Sequence, residues 1–162
     1  MIMMKELLNK KTFLFGVAAL ITSALAYIYK NRKRRIFVSY YHAEDSKYKN
    51  TLKMWSKNSD FNLDFYDHSA DVSIKSTNEG VIRQVISTKI NKSNLVICIV
   101  GKNTHSRKWV NWELEKAKKL NKRIIAVKIK STYKSPEALL NSGTKFINSF
   151  NKKDILNAIN RF

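Results

Sequence analysis

The sequence predicts an α/β domain, a parallel β-sheet covered by helices on both faces, preceded by one membrane-spanning helix. Three observations carry this. Residues 12–29, TFLFGVAALITSALAYIY, form an uncharged run of 18. Beyond Arg35, short apolar runs alternate with stretches of helical periodicity, the pattern of strand–helix–strand units. LVICIV, residues 95–100, is apolar at every position, as in a strand buried on both faces.

The run comes first in the chain. At 1.5 Å per residue it makes about 27 Å of helix, close to the thickness of a bilayer core. Lys10 and Lys11 precede it, and Lys30, Arg32, Lys33, Arg34 and Arg35 follow. The heavier positive flank is C-terminal, which keeps the following domain cytoplasmic in a single-pass membrane protein. Tyr27 and Tyr29 suit the membrane interface. The competing reading is a signal peptide cleaved after Ala24-Leu25-Ala26, but five cations just beyond that site oppose export. The expected organisation is a short segment at 1–11, an anchor at 12–29, a basic linker at 30–35 and a folded domain at 36–162.

Within the domain, IFVSYY (36–41) reads as a first strand. A helix follows from about Asp45, with Tyr48, Leu52 and Trp55 at helical spacing. FNLDFYD (61–67) alternates like a second strand. Ser76 and Glu79 have the spacing of a capping box ahead of a helix in which Ile82, Ile86 and Ile90 recur every four residues. NLVICIVG (94–101) is the central strand, and RIIAVKI (123–129) and KFINSF (145–150) are the fourth and fifth. Between strands three and four, HSRKWVNWELEKAKKLN (105–121) reads as a helix. Asn151 and Asp154 open a last helix through Ile155, Leu156, Ile159 and Phe162. The stretches 30–35 and 130–144 read as linkers.

Charge and residue counts narrow the function. The chain carries 31 basic and 12 acidic side chains, net +19, with eight cations and one anion in the first 35 residues. Nucleic acid or an anionic membrane are the partners such charge suggests. The cations are mostly lysines spread along the chain without a zinc-finger or RNA-binding signature, which disfavours nucleic acid. The single Cys98 lies inside the most apolar run, so it reads as core packing and excludes a disulfide within the chain. Four glycines, at 16, 80, 101 and 143, make neither GxGxxG nor a Walker loop. Three histidines without HxH or HExxH spacing give no metal site. No cofactor is expected.

In parallel sheets, ligands bind beyond the carboxyl ends of the strands. That edge collects Tyr40, Tyr41, His42 and Asp45 after strand one, Asp67, His68 and Asp71 after strand two, and Thr104, His105 and Ser106 after strand three. The helix beginning near Ser106 starts at the same edge. On its wheel, Trp109, Val110, Leu114, Ala117 and Leu120 share one arc, and Glu113 falls in the middle of it. A carboxylate on an apolar arc costs free energy unless something compensates it. One reading is an acid that snorkels outward or pairs with Lys116. The other is a cleft carboxylate that holds ribose hydroxyls and stabilises oxocarbenium character as a glycosidic bond breaks. In that second reading Trp109 and Trp112 stack on a flat cationic ring.

The segments IFVSYYHAED and LVICIVGKNTHSRKWVNWELEKA resemble the first box and the later WxxxE helix of TIR domains. IVGKNTHSRKWVNWEL and FYDHSADVSIKS are similar to the TIR-like domains of Thoeris anti-phage systems, over roughly residues 34–130. The resemblance implies a flavodoxin-like fold that cleaves the nicotinamide–ribose bond of NAD+, with NAD+ as substrate and Glu113 matching the family's catalytic glutamate. It implies an ADP-ribose-derived signal, cyclised or conjugated, that activates a downstream effector. It further implies self-association through TIR–TIR contacts. By the same resemblance Ser39, Tyr40, His42, Asp45 and Thr104 face the nucleotide, and Asp67 and Ser73 match by position. The family also includes scaffolds that assemble and cleave nothing.

Overall fold

A computed structural model of the chain describes residues 2–31, 34–57, 63–66 and 78–161. The chain divides into two compact units, Met1–Lys33 and Arg34–Phe162. The first is a single helix, α1 (Ile2–Asn31), unbroken where the sequence suggested a separate segment before residue 12. Side chains 13–27 are exposed throughout, Phe13, Leu14 and Phe15 at more than 70%. Among the described residues no helix is long and apolar enough to cross a membrane. The membrane-spanning helix expected over 12–29 therefore gains no support here.

The second unit runs β1 (Arg34–Ser39), α2 (His42–Ser56), β2 (Leu63–Tyr66), α3 (Glu79–Lys92), β3 (Leu95–Val100), α4 (Lys108–Lys119), β4 (Arg123–Lys128), β5 (Lys145–Ile147) and α5 (Lys152–Asn160). The five strands are parallel, in the order β2-β1-β3-β4-β5, which is the flavodoxin-like order. β3 is buried at all six positions because it is central and covered on both sides.

Strand alternation sorts the core into two layers. Ile36, Val38 and Tyr40 face one way, where they pack with Ile97, Ile99, Leu52 of α2 and Ile155 and Ile159 of α5. Phe37 faces the other way, with Val96, Cys98, Ile86 and Ile90 of α3, and Val110, Leu114 and Ala117 of α4. Phe150 seals the first layer, its ring 4.9 Å from Tyr48 and 5.4 Å from Trp55.

Several boundaries differ from the sequence reading. β1 starts at Arg34, inside the expected linker. The Arg35 amide donates to Asn94 Oδ1 at 3.0 Å, and the Arg34 guanidinium bonds the Ile159 carbonyl. α2 begins at His42, three residues before Asp45. Ser76 of the expected capping box lies outside the described residues. Asn78 caps α3, its side chain accepting from the amides of Gly80 and Val81, and Glu79 instead pairs with Arg83. Residues 130–144 are no bare linker, because a short 3-10 turn at Glu137–Leu139 buries Ala138 and Leu139 against the α4 layer. Asn151 does cap α5, accepting from Lys153 and Asp154 amides.

Candidate functional site

The chain leaves β1 for β2 on one side and enters β3 on the other, so the strand order reverses between β1 and β3. This is the topological switch point, the place where open parallel sheets generally put their ligands. Ser39, the last residue of β1, pairs in register with Cys98 of β3. It shares the Phe37 face, the face that α4 covers.

α4 presents Val110, Glu113, Leu114 and Ala117 inward, at the i, i+3, i+4, i+7 spacing of one helical stripe. Glu113 is 5% exposed, so it does not snorkel outward, and among the described residues it forms no ion pair with Lys116. Ser39 Oγ donates to its Oε2 at 2.5 Å. Burial pushes the Glu113 carboxyl up to about 8, and the Ser39 hydroxyl pulls the other way by favouring the charged form. Such a group sits poised near neutral pH. Cys98 lies close by with its thiol pushed far up, first by burial and then by the charges of Glu113 and Asp45. It is no nucleophile.

The β3–α4 loop is fastened to the first turn of α2. Asn103 Nδ2 donates to Glu44 Oε1 at 2.8 Å, and Thr104 Oγ1 donates to Asp45 Oδ2 at 2.8 Å. Thr104 Oγ1 also accepts from the Gly101 amide at 2.8 Å. The Arg107 guanidinium lies 3.8 Å from the centre of the Tyr41 ring. Burial raises the Asp45 carboxyl, and the Thr104 hydrogen bond opposes that rise.

The residues expected from sequence scatter in their placement. Ser39 and Glu113 meet directly. Asp45 and Thr104, expected as substrate contacts, are 3% and 0% exposed and bonded to each other. Tyr40 is packed in the core on the opposite face of the sheet, because it continues the Ile36–Val38 alternation. His42 is exposed on α2, its Nδ1 3.0 Å from Ser46 Oγ. Trp109 and Trp112 stand edge to face, with the Arg83 guanidinium 5.0 and 4.7 Å from their ring centres. The cation those indoles meet in this structure is thus supplied by α3. Asp67 and Ser73 lie outside the described residues.

Sequence reasoning missed Arg107, Asn103 and Gly101. Only Gly101 left a trace there, as a glycine closing an apolar strand, which often marks close backbone approach. The His105 Nδ1 is buried with no partner among the described residues. Among those residues no group of three or more His, Cys, Asp or Glu gathers as a metal site requires. A groove of about 470 Å³ on the outer flank of α4, between Asn111, Glu115 and Glu137, does not include Glu113.

Fold and site together define a flavodoxin-like α/β domain with a buried glutamate at its switch point. Residues 37–134 match the family model of the Thoeris protein ThsB, TIR-like domain, and the chain belongs to that family. No curated protein matches it in sequence. Solved structures share the fold at low identity. A CMP N-glycosidase, BcmB, from Clostridium botulinum superposes with a TM-score of 0.55 at 13% identity, over 79% of this chain and 98% of its own. A conserved protein from Enterococcus faecalis V583 gives 0.60 at 10%, over 80% and 98%. A 2-deoxyribosyltransferase from Bacillus psychrosaccharolyticus gives 0.56 at 12%, over 76% and 90%. At these identities the likeness is one of fold.

Proposed function

We propose that this TIR-like domain cleaves the nicotinamide–ribose bond of NAD+ and yields an ADP-ribose-derived signal in anti-phage defence. The observation that carries the reading is the buried Glu113 carboxyl, held by Ser39 at the switch point. As nicotinamide departs with the bonding electron pair, positive charge develops on the ribose ring. A carboxylate in a dry crevice stabilises that charge far better than water does. In the free domain at neutral pH the Glu113 carboxyl is largely protonated. A positively charged nicotinamide ring beside it favours the ionised form and so prepares the group for its role. Attack by water on the anomeric carbon gives ADP-ribose. Attack by a nucleophile within the same molecule gives a cyclised product.

Two of the fold's relatives are named for work on N-glycosidic bonds, a CMP N-glycosidase and a 2-deoxyribosyltransferase. That is an analogy of fold and supports the reaction class only. The same proposal includes assembly through contacts between copies of the domain, and an effector that responds to the product. It also tethers the domain on the cytoplasmic face of a membrane through residues 12–29, supported by their lack of charge and by the exposed apolar side chains of α1. The test is nicotinamide release from NAD+ by the purified chain. Glu113→Gln should abolish release and leave the circular dichroism spectrum unchanged.

A further inference from the structure

We propose that Asp45 and Thr104 form a buried latch that positions Glu113 rather than touching substrate. The inference rests on the reading of Glu113 as the reacting carboxylate. Glu113 sits on α4, and α4 is launched by the loop Gly101–Arg107. What fixes that loop therefore fixes where the carboxyl lands. The loop runs beside the first turn of α2 and is joined to it pair by pair: Arg107 on Tyr41, Asn103 to Glu44, Thr104 to Asp45. Thr104 is fully buried and its hydroxyl is committed twice, donating to Asp45 Oδ2 and accepting from the Gly101 amide. A Cβ on Gly101 would lie 2.1 Å from Asp45 Oδ1, so the carboxylate rests against bare backbone. Only glycine allows that approach.

These contacts close a circuit. β1 ends at Ser39, which bonds Glu113, and two residues later the same segment caps α2 at Tyr41. The α2 turn then grips the loop that leads back to Glu113. Neither Asp45 nor Thr104 has surface to offer a ligand, and both are spent on holding the two ends of the circuit together. Ser39 of β1 bonds the Glu113 carboxyl, and Cys98 of β3 lies close enough to feel its charge. Opening the latch would admit water there and relieve the burial that holds the carboxyl high.

The experiment follows the carboxyl carbon of Glu113 by NMR through a pH titration, in the full chain labelled with ¹³C-glutamate, alongside nicotinamide release. Thr104→Val removes the hydroxyl with little change of shape. It should move the Glu113 midpoint down by at least one pH unit and lower kcat at least tenfold, with KM changed less than twofold. Thr104→Ser, which restores the hydroxyl, should return both to wild-type values. A folded Thr104→Val protein with an unmoved Glu113 midpoint overturns the latch. A wild type that releases no nicotinamide counts against the enzymatic reading alone, because the Glu113 resonance still decides the positioning. Should Thr104→Val lose its circular dichroism, Asn103→Ala at the exposed end of the seam is measured instead. There a downward shift supports the latch and no shift overturns it.

Discussion

Ser39 and Glu113 stand 74 residues apart in the chain and 2.5 Å apart in the fold, with the serine hydroxyl donating to the carboxyl. The pairing joins the end of the first strand to the one inward-facing acid of α4. Two opposed influences meet there: burial, which resists the charge, and the hydrogen bond donated by the hydroxyl, which favours it. Most of the testable behaviour follows from their balance.

Activity should depend on pH with a definite sign. The free protein's Glu113 titrates near 8, and the reaction needs its charged form, so kcat/KM for NAD+ should rise with pH through a midpoint near that value. The kcat midpoint should lie lower, because the bound cationic ring favours the carboxylate. Ser39→Ala removes the group that lowers the value, so its kcat/KM midpoint should move up. Rates measured across pH 6 to 9 for both proteins check this, and a flat profile would contradict it.

Stability should show the opposite trend. Glu113 binds its proton more tightly in the native state than in the unfolded chain, where an ordinary glutamate titrates near 4.5. Folding is then favoured below about 4.5 and loses that contribution as pH rises through about 8. Asp45 is raised too and acts with the same sign. Urea midpoints should therefore fall between pH 5 and 8.5, and Glu113→Gln should make the fall shallower. Equal slopes in the two proteins would remove Glu113 as the source.

Arg83 ties α3 to α4 by lying against two indoles. Exposed cation–π contacts are worth about 0.5–1 kcal/mol each, and the Arg83 side chain is 40% exposed. Arg83→Leu should therefore cost roughly 1 kcal/mol, a drop in Tm of about 2–5 °C for a domain of this size. The tryptophan emission should change at the same time. A change in emission without a change in Tm would show contact without stabilisation.

Gly101 has no room for a methyl group. Gly101→Ala should destabilise the domain by about 1–3 kcal/mol, the usual cost of overpacking. Asp45→Ala removes the atoms the methyl would strike, so the double variant should be more stable than the sum of the two single changes predicts. Additive losses in thermal melts would mean the close approach does not matter.

The strand and helix sequence was largely readable because it depends on local pattern. LVICIV is a doubly buried strand by composition alone, and Ile82, Ile86 and Ile90 announce α3. Glu113 was legible as an anomaly, an acid on an apolar arc. The partners of the site were not, because they come from contacts 59 to 74 residues apart. Nothing in SYYHAED says that Tyr40 turns to one face of the sheet while Ser39 turns to the other until the register of β1 is known. Asp45 looks like an exposed first-turn acid, and only the approach of Gly101 and Thr104 makes it buried. Trp109 and Trp112 have the spacing of a stacking pair, and Arg83 on another helix fills the place a ligand ring was expected to take.

The central claim is tested most directly by incubating the purified full chain with NAD+ at high protein concentration. Nicotinamide and all ADP-ribose species would be followed by mass spectrometry, with Glu113→Gln in parallel. The account predicts nicotinamide from the wild type and at least a thousandfold less from the variant. The accompanying product would be either ADP-ribose or its form lacking one water. Equal release by a folded Glu113→Gln protein would contradict it.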